Sequence, residues 1–221
     1  MSGPLSLSEI DLATVSIQEP KTLDNGGKII YINMNKKPFI FRAPAMTAPY
    51  GMSNWDNIKF QIDLSLNPSD EVNAFVAKLK DFENQVIDEA LNKSMSWFKK
   101  KYSSRDVVSE LFSSAIKYSK NKETGEINNK YPPTIKLTLP FRLGKFECDA
   151  YNSKKELVAI TPEVVNKGSK ITAIVNCTGV WIAGSKFGCT YKVVQMRVQP
   201  NISNAIFSKC AFVDDEDEIE A

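Results

Sequence analysis

The 221-residue sequence contains no histidine. That removes the commonest general base, the commonest transition-metal ligand and the residue that activates a catalytic serine or cysteine, so classical triads are excluded. Cysteine is scarce: Cys148, Cys177, Cys189 and Cys210 stand far apart with no C-x-x-C spacing. This argues against a zinc site or redox pair and for reduced, structural thiols in an intracellular protein. No apolar run reaches the roughly 18 residues that a membrane-spanning helix needs. The opening residues, MSGPLSLSEIDLATVS, lack the basic start and apolar centre of a secretory signal. Glycines never gather into a phosphate-binding loop ending in Lys-Ser or Lys-Thr. Carboxylates holding Mg²⁺ for a nuclease remain chemically open. The acids are scattered, however, apart from those at the C-terminal end, so the reading is of a non-enzyme without cofactor or metal.

Charge is where the sequence becomes specific. Asp214, Asp215, Glu216, Asp217, Glu218 and Glu220 crowd the last eight residues. Removing those six from the 26 acids leaves 20 against 28 Lys+Arg, so residues 1–213 carry +8 although the whole chain carries only +2. A basic body with an acidic end suits a protein that binds a polyanion and carries its own competitor for the site. A purely solubilising tail is the plainer alternative.

Hydrophobic patterning predicts an α+β, mainly β, domain. Segments 28–34 and 37–42 read as strands joined by a turn at Asn35-Lys36, followed by an irregular, Pro- and Ala-rich stretch over 43–57. Phe60, Ile62, Leu64 and Leu66 alternate with polar residues as in a strand with one buried face. Asn67 as cap, Pro68 at the first helical position, and Asp70 and Glu71 in the first turn open a helix. Its apolar stripe runs from Val72 to Leu91. A short second helix is predicted over 104–112. Strand patterns then dominate at 134–139, 145–151, 170–177 continuing past a bulge at Gly179 through 180–182, and 186–199, with a turn at Gly184-Ser185. Short antiparallel strands around a helical insertion predict an OB-like barrel, closed or partly open, with a β-sandwich as the alternative. The expected organisation is an N-terminal extension (1–27), one OB-like domain (28–213) with its helical insertion at about 68–113, and the acidic tail (214–221).

Single strands of nucleic acid are held by cations that follow the backbone and by aromatic faces on which bases stack. Candidates of both kinds fall in three places. Tyr50 and Trp55 lie in the irregular segment beside Arg42 and Lys59. Lys99, Lys100, Lys101 and Arg105 belong to a lopsidedly basic stretch around the second helix. Trp181, Phe187 and Tyr191 flank a hairpin that also carries Lys186, Lys192 and Arg197. Simple alternation places Tyr191 and Arg197 on one strand face, opposite Val194 and Met196.

Three segments carry a resemblance: RAPAMTAPYGMSNWDN at 42–57, KYPPTIKL at 130–137 and GVWIAGSKFGCTYKVVQ at 179–195. They resemble an uncharacterised family encoded by nucleo-cytoplasmic large DNA viruses, including algal viruses, a distant relative of which is an OB-fold single-stranded-DNA-binding protein. The resemblance implies a viral single-stranded-DNA-binding protein acting in replication, recombination or repair; the residues themselves leave DNA and RNA equally open as ligands. It also implies location in host cytoplasm or nucleus at replication sites, or in the virion. The acidic tail is similar to the C-termini of bacterial and phage single-stranded-DNA-binding proteins and would recruit replication or repair proteins. Those tails often end on an aromatic residue, whereas this one ends Ile219-Glu220-Ala221. A virion or assembly protein without nucleic-acid affinity is the competing expectation.

Overall fold

The computed structural model of the chain describes residues 3–24, 26–56 and 58–201. Two short strands, β1 (Val15–Ile17) and β2 (Lys21–Thr22), lie along β3 (Lys28–Met34). Asn35 and Lys36 both take positive φ, 50° and 61°, and make the tight turn into β4 (Lys37–Thr47). That turn type matches the natural twist of a hairpin. β5 (Met52–Trp55) and β6 (Lys59–Ser65) pair next.

Three helices follow: α1 (Asp70–Asn92), α2 (Ser94–Phe98) and α3 (Arg105–Leu111). The cap of α1 differs from expectation. Ser69, not Asn67, accepts from the Val72 amide, so the helix starts two residues later, with Asp70 and Glu71 in its first turn. The strands resume with β7 (Ile116–Lys117), β8 (Thr134–Leu139), the small hairpin β9 (Phe141–Arg142) and β10 (Lys145–Phe146), β11 (Asp149–Tyr151) and β12 (Leu157–Val158). The long pair β13 (Lys170–Ala183) and β14 (Lys186–Gln199) ends the described chain.

Five of these strands close a ring. β4 pairs with β6, β6 with β8, β8 with β14, β14 with β13, and β13 returns to β4. Numbered along the chain, the ring order is first, second, third, fifth, fourth, with one parallel contact, Lys192 to Thr138, between third and fifth. This is the strand order of the OB barrel, and its weakest seams, one residue pair each at β4–β6 and β8–β14, make it partly open. The helices are inserted between its second and third strands.

The alternation read from sequence holds through most of these strands. In β8, Ile135, Leu137 and Leu139 are buried while Thr134, Lys136 and Thr138 are half-buried. The stretch 43–57, expected as irregular, instead extends β4 to Thr47 and supplies β5. The predicted strand over 145–151 is broken after Phe146, because the Glu147 amide turns back to the Pro140 carbonyl at 2.8 Å. Segment α2, too short for helical periodicity to register, is held by Trp97, which is fully buried against Phe187.

Residues before Lys28 are woven into the body. The Leu5 amide donates to the Ile40 carbonyl and the Arg42 amide to the Leu5 carbonyl, at 3.0 and 2.9 Å, adding a short parallel bridge to β4. Leu7, Ile10 and Leu12 then pack on Phe39, Phe41, Phe75 and Phe82.

The buried face of α1 carries one acid. Glu83 accepts from Ser114 Oγ at 2.7 Å and from the Ala115 amide at 3.0 Å, yet burial outweighs these bonds and raises its pKa. A carboxyl with a raised native pKa binds its proton more tightly folded than unfolded. Stability therefore falls as pH rises from the ordinary carboxylate range through the native value, and is flat above it. Glu83→Gln, which can accept from Ala115 and donate to Ser114, should abolish this decline and raise stability at neutral pH. Glu83→Ala, which leaves both donors unpaired, should cost about 2–3 kcal/mol. Urea unfolding at acid and neutral pH distinguishes the two.

Candidate nucleic-acid interface

One face of the β4–β13–β14–β11 sheet is turned away from the core, and its side chains form ordered rows. Ala45, Thr172, Arg197, Tyr151 and Leu157 are register neighbours across five strands. The next row is Arg42, Ile174, Gln195 and Asp149, and a third joins Ile40, Asn176 and Lys192. Beyond Arg197 lie Lys170 and Gln199.

The first two rows line an open concavity of about 390 Å³ bordered by Pro4, Arg42, Tyr151, Lys155 and Arg197. A smaller one, of about 120 Å³, continues it past Thr172 to Lys170 and Gln199. In the other direction Lys192 joins Lys59, Thr138, Arg142 and Glu147 around a depression of about 240 Å³. Seven cations, Arg42, Lys59, Arg142, Lys155, Lys170, Lys192 and Arg197, thus lie along this outer surface, with Lys192 and Arg197 on the same face of β14, against the acids Glu147 and Asp149.

Two bulges shape this surface. Opposite Ala173, β4 holds an extra residue, so Ala43 and the proline Pro44 are both buried. A proline can occupy a bulge because the ladder there needs no amide donor. On β14, Ile174 pairs with Gln195 and Val175 with Val193, leaving Val194 as the extra residue. The inserted residue reverses the alternation. Lys192, Gln195 and Arg197 consequently point outward together, while Tyr191, Val193 and Met196 point into the core.

The bulge corrects the aromatic half of the sequence reading. Tyr191 is 3 % exposed and meets Phe41 edge-on at 6.4 Å, on the opposite face from Arg197. Burial raises its pKa and keeps the phenol neutral. Phe187 is fully buried among Trp97, Phe98 and Phe112, with ring centroids 6.2, 5.2 and 5.2 Å away. Neither ring is open to a base. Trp181 is half-buried, its indole against Gly188, where an added Cβ would come within 3.0 Å of Cζ2. Tyr50 is 70 % exposed in the turn after β4, and the side chain of Trp55 lies outside the described residues, as do Asp214, Asp215, Glu216, Asp217, Glu218 and Glu220.

The remaining cations divide. Arg42, Lys59, Lys192 and Arg197 belong to the outer surface. Lys186 instead donates to the Glu110 carbonyl at 2.8 Å, at the end of α3, where a cation complements the helix dipole. Arg105 bridges α3 to α1 through Asp88 at 2.6 Å and Asn84 at 2.9 Å. Lys99, Lys100 and Lys101 are exposed beside the β13–β14 turn, and Lys100 lies over the Tyr102 ring. Eleven residues of β14 separate that turn from Arg197, or about 35 Å of strand. Sequence reasoning passed over Arg142, Tyr151, Lys155 and Lys170; the only signal they offered was ordinary strand-and-loop polarity. Among the described residues, no three His, Cys, Asp or Glu side chains come together to hold a metal ion.

A family model matches residues 61–214, from within β6 to beyond β14. The chain belongs to DUF5871, a family of unknown function. No curated protein matches this DUF5871 chain. Among solved structures it is similar to gp2.5, a single-stranded DNA binding protein encoded by bacteriophage T7, with TM-score 0.47 and 11% identity over 77% of this chain and 97% of that one. A single-stranded DNA-binding protein from bacteriophage Enc34 gives TM-score 0.47 and 11% identity over 84% and 90%. The Enc34 protein in complex with single-stranded DNA gives 0.40 and 12% over 84% and 96%.

Buried and outward residues of β14 should separate cleanly in stability measurements. Phe187→Ala should cost about 3–5 kcal/mol in urea unfolding by emptying a filled aromatic site. Arg197→Ala should change stability by less than about 0.5 kcal/mol.

Proposed function

We propose that this chain is a non-catalytic single-stranded-DNA-binding protein whose binding surface is the basic outer face of β14 and its neighbours. The observation that carries this reading is the line of seven cations running from Lys170 to Arg142. A solvated charged face does not need its cations strung along neighbouring depressions, whereas a flexible polyanion uses that arrangement. Each cation that meets a phosphate releases condensed counterions, which supplies sequence-independent affinity. Tyr151, half-buried in the row beside Arg197, offers an aromatic face within the groove for base stacking. Backbone capture with stacking gives low sequence preference, suited to protecting or organising exposed strands in replication, recombination or repair. RNA would be accepted on the same terms.

In this reading the acidic segment from Asp214 to Glu220 occupies the groove when nucleic acid is absent. When a strand displaces it, it is released to replication or repair proteins. The setting is a large DNA virus, with the protein at replication sites in host cytoplasm or nucleus, or packaged in the virion.

A salt-titrated comparison of the full chain with one ending at Val213 tests ligand and tail together. Single strands should bind in preference to duplex, with a log–log salt slope of about −3 for four or five phosphates. The shortened chain should bind more tightly at low salt. Arg42→Glu with Arg197→Glu should weaken binding at least about ten-fold. Absence of single-strand preference at low salt would sink the reading and favour an assembly protein.

A further inference from the structure

The β9–β10 hairpin carries two features that work against its own stability. Its two-residue turn holds Leu143 at φ 51° ahead of Gly144 at φ 77°. Turns with both central residues at positive φ favour Asn, Asp and Gly. Leu143 is moreover 92 % exposed, more than any other large hydrophobic residue among those described. Across the turn Arg142 pairs directly with Lys145, setting like charges opposite each other. Among the described residues neither cation enters an ion pair.

The stem of this hairpin is firmly anchored. Phe141 and Phe146 pack on each other at 5.0 Å and on Phe60 at 4.6 and 4.9 Å. A rigid aromatic base therefore holds an apolar tip between two cations. The adjoining β5–β6 tip repeats this chemistry, with Ile58 74 % exposed beside Lys59. Ile58, Lys59 and Arg142 line the depression that reaches the outer face through Lys192.

We propose that the Leu143 hairpin is a wedge for the junction between single- and double-stranded DNA. Leu143 stacks against the terminal base pair, and Arg142 and Lys145 take the two phosphate backbones that diverge there. Apolar side chains unstack base steps in this way, and flanking cations hold the opened strands. The freed strand runs past Lys192 into the groove. An isolated leucine between two cations would also suit an anionic lipid surface, but the continuity with the strand-binding face favours DNA. This inference rests on the single-strand reading above.

The test uses the full chain and Leu143→Asn, a substitution suited to the positive φ, so that folding is retained. Three measurements run together: affinity for a thymidine homopolymer, strand separation of a short dye–quencher duplex with a single-stranded tail, and binding to phosphatidylserine vesicles. The variant should keep homopolymer affinity within about two-fold and lose at least about five-fold in strand-separation rate. The wedge is overturned if the parent binds the homopolymer but leaves the tailed duplex intact, or if the variant separates it as fast as the parent. Vesicle binding that is lost in the variant, with strand separation unchanged, overturns it in favour of a lipid surface. Failure of the parent to bind the homopolymer removes the single-strand reading itself.

Discussion

The pairing of β13 with β14 is the constraint on which the rest depends. These two 14-residue strands close the barrel against β4 and β8 and also extend beyond it to meet the helical insertion. One ribbon can serve both purposes because its register shifts twice, at Val194 and at Thr178, bending it where barrel gives way to extension. Gly179 permits the second bend: an added Cβ there would fall 2.2 Å from the Ile30 carbonyl oxygen, so β3 can cross only over a glycine. Beyond it, Phe187 ties the ribbon to α2 and α3 through Trp97, Phe98 and Phe112. The insertion is thereby fixed to the same ribbon that carries Lys192 and Arg197.

Period and punctuation made much of the architecture legible. The Asn35-Lys36 turn, the α1 stripe, the Gly179 bulge and the limits of β14 all follow from local chemistry, because each is decided within a few residues. The proposed binding face was not legible in the same way. It is assembled from six separated stretches, around Arg42, Lys59, Arg142, Lys155, Lys170 and Arg197, which only the ring closure brings together. Tyr191 shows the limit most clearly. Strict alternation joins it to Arg197, and one inserted valine, in a run of two identical residues that gives no local sign of a bulge, sends it to the other face.

Core chemistry and surface charge are kept apart. Cys177, Cys189 and Tyr191 are buried, the pKa of Cys189 being raised by the neighbouring Cys177 and by burial, and Glu83 is satisfied by Ser114 and the Ala115 amide. On the helical side several cations are committed to structural contacts, as with Lys186, Arg105 and Lys93, the last bridging Glu19 and Glu89. Among the described residues none of the seven cations of the outer surface enters an ion pair. The distinction between a basic protein and a basic site lies in that difference of engagement rather than in net charge.

The Leu5 bridge also fixes the geography of the chain's beginning. Because Leu5 is bonded on both sides of Phe41, Pro4 is held at the rim of the basic surface. A bulky or charged group appended there would stand in the approach path of a polyanion. The C-terminal side is the other entrance, since Gln199 lines the far concavity and the Asn201 amide is anchored to Asn166. Both ends of the described chain thus border the basic surface, so the position of a purification tag or dye becomes a choice about access to the groove.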